Sequence, residues 1–442
     1  MNLIKKTIKE SLKTPGFSLL YIIGVALAIA FTMIYGILLY GQLGPVYPEY
    51  DRDSTIYLRG LTIKNGDNNI NSGFSKRFVD DYLRDNLKSA SLITTKISYN
   101  PRSPKIQTDG SGPDFNVTLR KVDPAFFELY KYVFLAGSPF TQADLDSKLK
   151  TAVISDKVAS RLFDSPEAAI GKYIKIDRVK YHVSGVFREG NALSVDSYGE
   201  VFTPYYFDGA FYGEWPEELA GGLAVTVKVK QEKKDQLIEE LTDICRRINA
   251  IDTAAGKVYI PQIETHREHV LSEHDYEIDE NSFKVQEGPS PFSLWKPMII
   301  ALLIVLVIPA LNISGLIGSR MDRLTPEIGI RRSFGATRRR LMLMVMTENL
   351  VLTIIGGIIG LIAAWLILVF ARDFLLQFTP LSYINDPQFG DSTSFMTGEM
   401  AFAPIIFIGA FIVCLILNTL SAWIPARRAI RRQITESINK KR

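Results

Sequence analysis

The chain has 442 residues, 47% of them apolar, a net charge of +4 and a mean hydropathy of +0.09, values that an ordinary globular protein shares. Their distribution excludes a soluble protein: residues 14–48, 297–319, 349–371 and 400–426 carry no charge, and each stretch is long enough to cross ~30 Å of hydrocarbon. With Cys245 in a charged segment and Cys414 in an apolar one, neither a disulfide framework nor a cysteine metal site is available.

In chain order, residues 1–16 set Leu3, Ile4, Ile8 and Leu12 against Lys5, Lys6, Lys9 and Lys13, which predicts a basic amphipathic helix lying on lipid, broken at Pro15-Gly16. Residues 17–43 form a first transmembrane helix; its apolar run is too long for a signal peptide and no A-x-A site follows, so it is expected to be retained. Residues 44–295 read as two βαβ units around a β-rich insertion at about 101–221. The first unit, within about 50–100, places strands at 55–63 and 91–99 around a helix at 75–87. The second, within about 222–265, places strands at 223–230 and 257–263 around a helix at 233–248, where Leu237, Leu241, Ile244, Cys245 and Ile248 share one face. Two βαβ units flanking an insertion suggest a split ferredoxin-like domain. Further transmembrane helices are expected at 296–319, 342–371 and 401–425, joined by loops 320–341 and 372–400 and followed by a tail, 426–442.

Lysine and arginine counts predict the orientation. The loop around 320–340 holds seven arginines and the tail seven basic residues, whereas 372–399 holds Arg372 against four acids. Both termini and the first of these loops are thus expected in the cytoplasm, with 44–295 outside. The fold class that results is an α+β membrane protein with four transmembrane helices and a large external α/β domain between the first two. Positive-inside topology and anionic lipid account for the basic face, so no nucleic acid is implied.

The most informative segment runs Arg323-Leu-Thr-Pro-Glu-Ile-Gly-Ile-Arg-Arg-Ser-Phe-Gly-Ala-Thr-Arg-Arg-Arg-Leu341. Pro326 and Glu327 suit a helix start and Gly335 its end, with Ile328 and Ile330 as apolar knobs among arginines. Topology alone accounts for the arginines but not for Glu-Ile-Gly-Ile or Gly-Ala. The segment resembles the cytoplasmic loop of MacB/FtsX-like ABC transporter permeases. Leu12–Leu20 with Gly24 resembles the family's approach to its first span, in the form common in Bacteroidetes. Val122-Asp-Pro-Ala-Phe-Phe127, Gly137-Ser-Pro-Phe140, Ala152-Val-Ile-Ser155 and Tyr181–Val186 resemble its periplasmic domain, and Pro425-Ala-Arg-Arg-Ala429 its exit from the last span. After that the tail departs, because Gln433-Ile-Thr-Glu436 lacks the usual proline.

The resemblance implies that Glu327, Ile328, Gly329, Ile330, Arg331, Arg332, Gly335 and Ala336 couple the chain to a cytoplasmic ABC ATPase dimer. It also implies a second copy or a paralogous permease, a bacterial inner-membrane location, and a periplasmic adaptor or other envelope partner. Neither Gly171-Lys172 nor Gly256-Lys257 has phosphate-loop spacing. No catalytic residue, cofactor or metal is therefore expected in this chain, with ATP and Mg on the partner ATPase.

Three features have weaker readings. His266-x-x-His269 with His274, beside Glu268, Glu273 and Asp275, suits a metal at face value, but without an apolar helix frame it reads as a solvated linker. Glu348, about two turns from Arg340, is expected to reach the cytoplasmic interface, and Gly356-x-x-x-Gly360 suits close helix packing. Apart from Glu348 the spans hold only scattered polar residues such as Asn312, Ser314 and Asn418, which favours transmission of motion over conduction. Efflux, lipoprotein release and control of an envelope partner all fit; a membrane sensor with an external ligand-binding domain is the alternative.

Overall fold

The computed structural model describes residues 15–58, 60–66, 68–98, 104–108, 114–205, 219–251, 256–271, 283–287, 296, 299–300, 303–304, 315, 317–318, 328–370 and 404–431. They fall into two compact units, one drawn from Met1–Leu39, Trp295–Leu375 and Ala401–Arg442, the other from Tyr40–Leu294 and Leu376–Met400. The first long helix, Pro15–Leu43 (α1), is uncharged throughout.

The framework of the Tyr40–Leu294 unit is built from strands Thr55–Leu58 (β1), Leu92–Ile97 (β2), Leu119–Val122 (β3), Thr151–Ser155 (β4), Val179–Phe187 (β5), Val201–Pro204 (β6), Leu223–Lys228 (β7) and Gln262–Thr265 (β8). Helix Lys234–Ala250 (α2) precedes β8 and helix His266–Leu271 (α3) follows it. Four strands lie in the order β8–β1–β7–β2 with every neighbouring pair antiparallel. A π-helical segment, Phe78–Arg84, joins β1 to β2, and α2 joins β7 to β8, so the ferredoxin-like pattern expected from the two βαβ units is present. Leu237, Leu241, Ile244, Cys245 and Ile248 of α2 share one core with Phe74, Phe78, Val79 and Leu83. Full burial stabilises each large aliphatic side chain by roughly 1.5–3 kcal/mol, which is what holds both helices to the sheet.

Two expected strands are broken. Residues 55–63 divide at Gly60, whose φ of +122° favours glycine and where a Cβ would lie 2.6 Å from the Ser72 carbonyl oxygen. Residues 257–263 divide at Ile260-Pro261, where proline removes a ladder donor. The pieces beyond the breaks, Leu61–Asn65 and Lys257–Tyr259, pair with Asn68–Phe74 and with each other, and the Phe74 end in turn pairs with Leu223 of β7.

Strand β3 of the β-rich insertion pairs with the ferredoxin-like strand β2 at Val122 and Lys96. Beyond it β3 runs parallel to β6, β6 antiparallel to β4, and β4 parallel to β5. An aromatic cluster underlies this junction: Phe126 and Phe127 meet Phe202 at centroid distances of 5.3 and 5.6 Å, and Tyr132 meets Phe187 at 5.0 Å.

In the other unit, helices Arg338–Phe370 (α4) and Pro404–Arg431 (α5) join α1 as three helices long and apolar enough to cross a membrane among the described residues. Only scattered helical residues of the expected 296–319 span are described, and 1–14, 320–327, 372–400 and 432–442 lie outside the described residues. Gly356 and Gly360 of α4 lie against α1, where a Cβ would come within 3.0 Å of Ile22 O and 2.5 Å of Ala26 O respectively. Tyr21 and Thr353 close the same contact with a 3.0 Å hydrogen bond between hydroxyls. Glu348 and Asn349 are buried within this unit. Glu348, which was expected to reach the cytoplasmic interface, thus faces the other helices of this unit.

Candidate functional site

Residues 328–333 form a short helix ahead of α4, and its two isoleucines have opposite fates. Ile328 is 3% exposed and packs with Leu341 at the start of α4 and Ile430 near the end of α5, joined by Ala336 and Met342. Ile330 is 51% exposed and Phe334, four residues on, 88%. The expectation of two knobs at Ile328 and Ile330 is thus corrected: Ile328 is the anchor, and the outward pair is Ile330 and Phe334. A helical repeat of 3.6 residues puts 330 and 334 on one face and turns 328 away.

Gly335 ends the helix with φ +87°, its N–H donating to Arg332 O at 3.0 Å while the N–H of Ala336 donates to Arg331 O at 3.0 Å. The Thr337 hydroxyl then accepts the N–H of Arg340 at 3.3 Å and opens α4. Arg332 Nη1 donates to Ile430 O at 3.2 Å, and Arg331 Nη1 lies 2.7 Å from Met344 Sδ. Gly329 is buried, whereas Arg338, Arg339 and Arg340 are exposed. Glu327 lies outside the described residues. Chemically the arrangement is suited to docking, with exposed apolar projections in an arginine-rich segment fixed to the ends of two apolar helices. Phe334 was missed by sequence reasoning, although its spacing from Ile330 carried the signal.

His266 and His269 do not lie in a solvated linker. Both belong to α3, and His266 is 4% exposed. Its Nε2 faces the Gln42 carbonyl at 2.8 Å and therefore donates, leaving Nδ1 to accept the Tyr57 hydroxyl at 3.2 Å. Burial pushes its pKa down, consistent with a neutral ring. His269 has the opposite setting. Its Nε2 lies 3.1 Å from Asp196 Oδ2 and its Nδ1 2.8 Å from Glu264 Oε2, with the Tyr57 ring stacked on it at 4.2 Å. Both ring nitrogens must donate. Although burial opposes the charged form, the two carboxylates raise the pKa to about 9, so the ring is a cation at neutral pH. Asp196 is also paired with Lys96, and despite its burial these cations hold its pKa well below the usual range. Among the described residues no group of three His, Cys, Asp or Glu side chains is arranged to hold a metal ion. His274, Glu273 and Asp275 lie outside the described residues.

A family model described as a MacB-like periplasmic core domain matches residues 18–244, and one described as FtsX-like permease C-terminal matches residues 299–434. The chain belongs to the MacB/FtsX-like ABC transporter permeases, a family embedded in the membrane with a periplasmic domain. Among curated proteins, the pyoverdine export ATP-binding/permease protein PvdT of Pseudomonas fluorescens Pf-5 is 25% identical over 314 residues, 70% of this chain and 40% of that protein. PvdT of Pseudomonas syringae pv. tomato is 25% identical over 316 residues, again 70% and 40%. The chain thus spans about 40% of the length of these relatives. Two solved structures are also similar. The extracellular domain of the noncanonic ABC-type transporter YknZ from Gram-positive bacteria has a TM-score of 0.34 at 18% identity, covering 46% of this chain and 97% of that one. The periplasmic region of MacB from Actinobacillus actinomycetemcomitans has a TM-score of 0.34 at 13% identity, covering 48% and 89%.

Proposed function

We propose that this chain is the membrane-spanning half of an ABC assembly whose ATPase is a separate cytoplasmic chain. In this reading the Ile330–Phe334 face docks in a groove of the ATPase, and closure of two ATPase subunits drives two permease copies. The observation that carries it is the outward apolar pair held on an inward anchor. Ile328 and Arg332 tie the docking helix to the start of α4 and the end of α5, so force applied to the helix passes into both. ATP and Mg belong to the partner, and the termini and docking helix face the cytoplasm, as the basic residues favour.

The work appears in the periplasmic domain as export of a molecule already outside the inner membrane, release of a lipoprotein, or control of an envelope partner. An adaptor or a second, paralogous permease fits the same scheme. Within the described spans the buried polar side chains, Ser18, Thr32, Gln42, Glu348, Asn349, Thr353 and Asn418, are few, which supports transmission of motion over a hydrophilic path. The test is to purify the chain with its bound partner and measure ATP hydrolysis. An ABC ATPase whose stimulation is lost in Ile330→Asp, with membrane insertion retained, is the expected result. A kinase in its place supports the sensor, and unchanged stimulation in the variant sinks the docking assignment.

A further inference from the structure

Residues 191–200 link β5 to β6 without helix or strand, yet Asn191, Ala192, Leu193, Ser194, Ser197, Tyr198 and Glu200 are all buried. A buried loop must find partners for its peptide groups, and here four successive carbonyls are met by side chains from elsewhere. Arg120 Nη2 donates to Val195 O, Lys96 Nζ to Asp196 O, the Tyr132 hydroxyl to Ser197 O and Arg120 Nε to Tyr198 O.

The same loop grips two other segments. On one side, the Ser197 N–H donates to Glu49 Oε1 at 3.2 Å and Arg52 Nη2 donates to Ser194 Oγ at 2.8 Å. Arg52 also donates to Glu49 Oε2 at 2.7 Å, to Gly41 O at 3.0 Å and to Gly44 O, so it binds the chain leaving α1 to itself and to the loop. On the other side Asp196 holds His269, which holds Glu264, and these belong to the segment that leads in sequence towards the second apolar stretch. Three carboxylates, Glu49, Asp196 and Glu264, thus face three cations, Arg52, Lys96 and His269. An apolar cluster of similar volume stabilises a fold at least as well. What ion pairs add is direction, because each holds its partners in one register.

We propose that residues 191–200 are a clasp that locks the chain leaving the first span and the chain returning to the second onto the inserted subdomain, so that displacement of the spans moves that subdomain as one body. Asp196 and Arg52 are its positioning residues. The transmission half of this proposal rests on the reading that ATP-driven motion enters through the spans.

Amide hydrogen exchange of the full chain in lipid nanodiscs tests the clasp independently of that reading. Asp196→Asn is expected to speed exchange at least tenfold in 41–54, 191–200 and 262–271 while α2 keeps its protection. His269 is faced by Asp196 from the loop, Glu264 from β8 and Tyr57 from β1, with Lys96, Glu49, Arg52 and His266 completing the cluster. After correction for intrinsic rates, the wild-type chain should lose protection there between pH 8 and 10, and His269→Arg, a permanent cation, should keep it. Exchange that is unchanged in Asp196→Asn, or that rises evenly over the whole domain, overturns the clasp. For transmission, spin labels at position 149, an exposed site on the insertion, are followed in the assembly with its ATPase. The wild-type pair should shift on ATP addition, and Asp196→Asn should hydrolyse ATP with no shift. A shift that persists in the variant overturns transmission through the clasp. No shift in the wild type overturns the ATP-driven reading itself, and the exchange result still decides whether the clasp exists.

Discussion

The 328–333 helix and the 191–200 loop invert the usual partition of side chains in opposite senses. At the helix, an isoleucine and a phenylalanine stand in solvent while their neighbour Ile328 is buried. At the loop, three acids and three cations are buried or half-buried against one another. Exposed apolar groups offer free energy to a partner that covers them, whereas buried ion pairs offer little net stability but a fixed geometry. One region is suited to receiving a partner and the other to holding segments of the same chain together.

The largest expected effect strikes the buried side. Asp196→Asn leaves the buried Lys96 and the half-buried His269 with one counter-charge fewer, and breaking a buried pair in this way costs about 3–5 kcal/mol; thermal or urea unfolding of the domain measures it. Glu200 sharpens the contrast from within the same loop, because it is buried close to Glu189 and its pKa rises to about 7. A carboxyl whose folded pKa lies above its unfolded value loses stability as pH rises, here from about 4.5 through 7. Glu200→Gln is therefore expected to stabilise the chain at pH 8 by up to ~3 kcal/mol and to have little effect at pH 4, where both forms are neutral. Equal shifts in melting temperature at the two pH values contradict this.

His269 runs the other way. With a folded pKa of about 9 against an ordinary 6.5, its contribution is full below pH 6.5 and fades as pH rises through 9. Melting temperature should fall over that window in the wild type and less in His269→Gln. On the exposed side, Phe334→Asp should cost about 2 kcal/mol or more of docking energy with unfolding unchanged. Ile328→Ala should instead destabilise the spans, and a reversal of these two phenotypes breaks the comparison. Gly335→Ala is the mildest change: its positive φ costs an L-residue roughly 1–2 kcal/mol, read as weaker ATPase stimulation with normal insertion.

Much of this was legible in the chain itself. Three of the uncharged runs, 14–48, 349–371 and 400–426, coincide with the long apolar helices α1, α4 and α5 and were readable without knowledge of any contact, because hydrocarbon excludes charge. The apolar stripe of α2 and the two βαβ units follow from local periodicity, whereas the strand order β8–β1–β7–β2 came from the structure. Less visible were the breaks at Gly60 and Pro261, since alternation continues across them while the backbone turns away. The burial of Ile328 was hidden because its partners, Leu341 and Ile430, are remote in sequence.

Periodicity, charge segregation and turn residues are properties of neighbours along the chain, and they determined that this protein crosses a membrane, carries a ferredoxin-like external domain and presents a short Gly-bounded helix. Whether a polar residue in that domain is solvated or enclosed depends on segments brought together from far apart. Arg52, Lys96, Arg120, Asp196 and His269 look like ordinary surface charges in sequence. Only the tertiary structure, by packing β2, β3, α3 and the chain leaving α1 around one irregular loop, turned them into a buried network, because only there do oppositely charged groups replace the water that each has lost.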